Sequence, residues 1–142
     1  MNKIRAPKKR LRPDSGEALV EMALVLPILI VLSMGMLDFG RAFHAKSLLD
    51  QAAREGARMA VIPKTNVADV LLRVDTVLRS GGITTAPPAT VSPVDPATNM
   101  LTVTVTYTFQ FVTPGVFQLV GAGFGNTIVM TAQSSMRFED GK

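Results

Sequence analysis

Residues 18–37 read ALVEMALVLPILIVLSMGML, twenty positions in which Glu21 and Ser33 alone are neither apolar nor small. At about 1.5 Å of rise per residue, a helix of this length reaches roughly 30 Å, the hydrocarbon thickness of a bilayer. The run therefore predicts a transmembrane helix from Ala18 to Leu37. A secretory signal peptide fits less well, because its apolar core covers about 7–15 residues and ends at a small-residue cleavage site. The nearest candidate, Ala42-Phe43-His44-Ala45, has the wrong spacing and lies beside Arg41. Glu21 is the informative exception. An ionisable group inside a span is costly and calls for a partner or a task, although at this end of the helix it could also reach headgroups or water. Pro27 has no N–H to donate and predicts a kink or a melted turn.

On the N-terminal side, Lys3, Arg5, Lys8, Lys9, Arg10 and Arg12 supply six of the 15 basic residues. The positive-inside rule places such a flank in the cytoplasm and everything after Phe39 outside. The formal net charge of +4 belongs to this tail. Removing residues 1–16 leaves nine basic and ten acidic side chains, so the body offers no basic surface and no nucleic-acid partner is expected. The absence of cysteine excludes disulfides and thiolate metal sites. With 142 residues, of which 47% are hydrophobic and only 6% aromatic, the chain has room for one small exported domain beyond an aliphatic span.

On the C-terminal side the helix is expected to continue through Ala42 to Ala60 as a stem, until Pro63 stops it. Gly56 costs about 1 kcal/mol relative to alanine there, and either marks a close helix contact or is simply tolerated; Ala52, Ala53 and Ala60 nearby give the contact some weight. A second helix is predicted from Val67 to Ser80, with Val67, Val70, Leu71, Val74, Val77 and Leu78 on one face, Asn66 as cap, and Gly81-Gly82 as terminator. The period then changes. Leu101, Val103, Val105, Tyr107, Phe109 and Phe111 alternate with Thr102, Thr104, Thr106, Thr108 and Gln110, as in a half-buried strand. Val91 to Val94 and Thr127 to Phe138 predict two further strands, with a turn at Asp95 to Asn99. The expected fold is α+β: a long N-terminal transmembrane and stem helix (residues 17–62), then a small domain (63–142) of a helix and an antiparallel sheet.

The segment Ser15-Gly16-Glu17-Ala18-Leu19-Val20-Glu21, behind a basic tail and ahead of a span, resembles the prepilin cleavage site of type IV pilins and pseudopilins. With Glu21 to Ile30, Asp38-Phe39-Gly40-Arg41 and Ala53 to Ala60, the run over roughly 15–62 is similar to the TadE-like family of tight-adherence pilus proteins. The resemblance implies a pilin-like domain and removal of the leader 1–16 by a prepilin peptidase that cuts after Gly16, leaving Glu17 as the new N-terminus. It implies further that Glu21 pairs with the freed N-terminal amine of a subunit, and that Pro27 is a shared packing feature. The implied partners are other pilins and minor pilins, the inner-membrane assembly platform and the lipid bilayer, in a single-pass inner-membrane protein that can enter an extracellular pilus. A minor pilin or pseudopilin fits better than a shaft subunit, because about 100 residues follow the span.

Two other readings compete: an uncleaved, membrane-anchored periplasmic binding module, and a tethered enzyme. The enzyme ranks last, since no convergent polar constellation is visible and no cofactor is expected. His44 has no Ser, Cys or carboxylate at a recognisable spacing. Gly121-Ala122-Gly123-Phe124-Gly125 lacks the strand–helix context and lysine of a phosphate loop and is expected to be a turn. Asp38 and Arg41 are spaced for an i,i+3 pair, but an exposed pair contributes only about 0.2–0.5 kcal/mol and the expected reading is a solvated helix exit with no catalytic role. Tyr107, Phe109 and Phe111 are expected in the sheet core.

Overall fold

The computed structural model describes residues 14–85, 87–113 and 125–137. Helix α1 (Asp14–Ala60) is a single helix of 47 residues, about 70 Å long at the usual rise. It runs unbroken through Pro27, with no melted turn, so the proline costs one backbone hydrogen bond, that of the Ala23 carbonyl. The helix ends three residues before Pro63, as expected. Its two halves differ. Residues 16–30 are exposed throughout, and the apolar window that makes this half long and apolar enough to cross a membrane has no buried position. The second half carries Ala45, Leu48, Leu49, Ala52, Ala53 and Ala57 into the core.

Helix α2 (Val67–Ser80) lies against that half and buries Val70, Val74 and Leu78. Asn66 occupies the cap position in an extended conformation, yet its side chain makes no capping bond; only its carbonyl accepts, from the Asp69 and Val70 N–H groups. The C-terminus closes as predicted. Gly82, at φ +93°, takes the left-handed position that an L side chain resists, and the Gly82 and Ile83 N–H groups bond the Arg79 and Leu78 carbonyls at 3.0 and 2.9 Å.

Strands β1 (Ala89–Val91), β2 (Met100–Gln110) and β3 (Thr127–Arg137) form an antiparallel sheet in the order β1-β2-β3. Val105 pairs with Ala132, and Thr90 with Thr104. The first strand sits earlier than the Val91–Val94 expected from pattern. Pro93 has no N–H for the ladder, so regular pairing ends at the Ser92 N–H bond to the Thr102 carbonyl. The Asp95–Asn99 turn is present, with Asn99 left-handed at φ 52° and the Asp95 carboxylate accepting from the Ala97 N–H and the Thr98 hydroxyl. Phe138 and most of the glycine-rich stretch Gly121 to Gly125 lie outside the described residues.

The sheet covers α1 with its apolar face, Leu101, Val103, Val105, Phe109 and Ala132. Of the aromatic stripe only Phe109 is fully buried; Tyr107 and Phe111 are half-buried at its rim. Strand β2 runs back along α1, since its start lies beside Gly56 and its end beside Asp38. Gly56 is a close-contact site. A Cβ there would stand 2.7 Å from Val74 Cγ2 and 3.2 Å from Val103 Cγ1, both on fully buried side chains. Leucine gains nearly 1 kcal/mol in helix propensity over glycine, but overpacking a buried contact costs about 1–3 kcal/mol and more for a long side chain. Gly56→Leu should therefore lower stability by about 2 kcal/mol in urea melts of the detergent-solubilised chain. A neutral or stabilised variant would show that this helix contact is loose.

Candidate functional site

The residues singled out in the sequence lie along the exposed half of α1. Gly16 and Glu17 are in its first turns, exposed, and a Cβ on Gly16 would meet no described atom within 4 Å. Helical geometry here means that a peptidase cutting after Gly16 must first draw this end of α1 into an extended form. Glu21 is exposed one turn further on, and among the described residues it makes no hydrogen bond or ion pair. Nothing within the described chain satisfies its carboxylate. Pro27 lies six residues beyond, on a different side of the helix from Glu21, so the structure does not bring these two together. What the exposed half can do chemically is sit in lipid and meet other helices.

Where the exposed half meets the folded half, the structure differs from the sequence reading. Asp38 is not a solvated helix exit. The residue is 4% exposed, and its carboxylate gathers groups from 74 residues further along the chain. The Val112 N–H donates to both oxygens, at 3.2 and 3.0 Å, and the Thr113 N–H to Oδ2 at 3.0 Å. The Thr113 hydroxyl donates to Oδ2 as well, and Arg41 Nη1 to Oδ1 at 3.0 Å. Burial alone would raise this carboxyl's pKa; the Thr113 hydroxyl, the Thr113 and Val112 N–H groups and Arg41 outweigh it and hold it below the usual carboxylate value. Arg41 also places its guanidinium 5.3 Å from the centre of the Phe109 ring, which meets Phe111 edge-on. Asp38 thus fastens the end of β2 to α1 one residue beyond the apolar span.

Sequence reasoning missed this because the Val112 and Thr113 N–H groups carry no residue signature and the Thr113 hydroxyl comes from 75 residues further along the chain. The one available signal was a carboxylate at the edge of a span with a single cation nearby. His44, by contrast, only approaches the Gly81 carbonyl, with Nε2 at 3.4 Å. Among the described residues no group of three or more acidic or histidine side chains could hold a metal ion.

Comparison with known proteins bears on the same half of the chain. No curated protein and no solved structure matches the sequence. A family model does match: it begins at Gly16, runs through the exposed apolar half and the Asp38–Arg41 fastening, and ends two residues before the end of α1. Its members are proteins associated with the tight-adherence pilus. Over residues 16–58 the chain matches the model of the family described as TadE-like protein.

Proposed function

We propose that the chain is a minor pilin or pseudopilin of a tight-adherence pilus, a structural subunit with no chemistry of its own. It enters the inner membrane with its basic N-terminus in the cytoplasm, holds its α+β domain in the periplasm, and is shortened after Gly16 by a prepilin peptidase. The partners are then other pilins and minor pilins and the inner-membrane assembly platform. The observation that carries this reading is that the family segment, residues 16–58, takes in the whole of an apolar half-helix that the folded domain leaves bare and continues into the half that the domain packs against. A bare helix of this kind has two suitable environments, lipid and the helices of neighbouring subunits, and a pilin moves from the first to the second.

Co-expression with a prepilin peptidase should shorten the chain by residues 1–16, read as intact mass, and Gly16→Trp should block the cut by placing a large side chain in the protease cleft. Full-length protein beside a demonstrably active peptidase would refute the maturation step and leave an uncleaved, membrane-anchored module in its place.

A further inference from the structure

A groove of about 490 Å³ opens beside the Asp38 fastening, between α1, the end of α2 and β2. Its lower end is formed by Met36 and Leu37, exposed residues at the close of the apolar span, and its upper end by Arg41, His44 and Tyr107. Gly40 lies between them. A Cβ on Gly40 would meet no described atom within 4 Å, unlike one on Gly56 or Gly81, where side chains of the core stand in the way. Glycine inside a helix costs about 1 kcal/mol against alanine, and at Gly40 no packing within the described chain offsets that cost. Among the described residues the space is open.

We propose that this groove holds a phospholipid, with an acyl chain along Met36 and Leu37 and the phosphate against Arg41, His44 and Tyr107. The proposal rests on the reading of α1 as a membrane helix. Height selects the occupant. Arg41 is four residues past Leu37, or about 6 Å, within the headgroup layer that adds roughly 5–7 Å to each side of the hydrocarbon core. The groove therefore passes from the depth of acyl chains to the depth of phosphates, and its lining passes from apolar to cationic and hydrogen-bonding over the same distance. Asp38 does not repel the phosphate, because it is buried and its oxygens face the Val112 and Thr113 donors. Among the described residues Arg41 spends one guanidinium nitrogen on Asp38, and its fork of five N–H donors suits a second anion.

The test is native mass spectrometry of the full chain, extracted in dodecyl maltoside and titrated with dioleoylphosphatidylglycerol. The parent should carry one phospholipid per chain. Gly40→Leu, whose Cβ would meet no described atom within 4 Å and whose side chain would occupy the groove, should weaken its retention by roughly tenfold or more, the scale of losing one charge-assisted contact. Gly40→Ala is too small to fill the space and should retain the lipid, and both variants should keep the parent's circular dichroism. Equal lipid occupancy in parent and Gly40→Leu would overturn the proposal. So would release of the lipid by millimolar inorganic phosphate, which would mark a free-anion site, or a lipid-free dimer, which would mark a helix-docking site. Alkaline carbonate washing of membranes separates the underlying reading. A chain released to the supernatant refutes the membrane helix, whereas a chain that stays in the pellet yet purifies without lipid refutes the groove alone.

Discussion

Asp38→Ala should lower the stability of the folded domain by about 3–5 kcal/mol, a large share of the 5–15 kcal/mol typical of a small protein. The substitution strands the Val112 N–H, the Thr113 N–H and the Thr113 hydroxyl, and leaves Arg41 without its carboxylate. Thr113 is buried, and an unsatisfied buried donor costs about 1–3 kcal/mol, so its N–H and hydroxyl alone bring a sum of this size, while water relieves the exposed Val112 and Arg41 groups. Asp38→Asn should fall between the two, since its carbonyl oxygen still accepts but its amide presents donors to donors. Urea melts of the full chain in detergent micelles read both. An alanine variant within about 0.5 kcal/mol of the parent would mean that the carboxylate is not what joins β2 to α1.

The same carboxyl makes stability depend on pH with a definite sign. Its folded-state pKa lies below its unfolded value, so its contribution is fully present above the ordinary aspartate value of about 3.9. It is lost as pH falls through the folded-state value. The stability curve should be flat in this term from neutrality to about pH 5 and descend below about pH 4, and Asp38→Asn should flatten that acid limb. Asp95 is also held low, by the Ala97 N–H and the Thr98 hydroxyl, but it is exposed in a turn. Asp95→Asn should leave most of the acid limb in place.

The contrast between Asp38 and α1 shows where the sequence is legible. The span, the stem and β2 repeat one residue type at a fixed period, over twenty positions or eleven, and periodicity of that length survives any tertiary arrangement. Gly82 and Pro93 act through their own backbone, so helix termination could be read directly, and the early end of β1 was available in Pro93 although the apolar pattern around Val91 and Val94 masked it. Asp38 and Gly56 could not be read in that way. What fixes each is a surface brought from elsewhere in the chain: Val112 and Thr113 for one, Val74 and Val103 for the other. The sequence reading gave a close contact at Gly56 some weight from Ala52, Ala53 and Ala60 without naming what it meets, and took Asp38 as a solvated helix exit. Gly16, Glu17, Glu21 and Pro27 were proposed from their position along the span, which needs no folded domain, whereas the Asp38 fastening exists only after the domain has folded.

Glu21→Gln should leave the folded domain untouched and cut subunit association by on the order of 100-fold, the factor that corresponds to about 3 kcal/mol for leaving a buried amine without its carboxylate. The core begins at Ala45, far along α1 from Glu21, so the urea melt of the variant should superimpose on the parent's. Membrane insertion should persist or improve, because a neutral amide is cheaper to hold in lipid than a carboxylate. The loss should fall on what we propose the carboxylate is for: pairing, inside hydrocarbon, with the amine freed at Glu17 when the leader is removed. Each charge is costly alone there, and their pairing favours one register between neighbouring helices over all others. Glutamine preserves size and hydrogen bonding, so it isolates the charge, and Glu21→Ala should behave alike. The readouts are recovery of the chain with its pilus partners from native membranes and the number of pili on cells. A Glu21→Gln chain that is cleaved, inserted and assembled like the parent would reduce Glu21 to an interfacial carboxylate and refute the pairing.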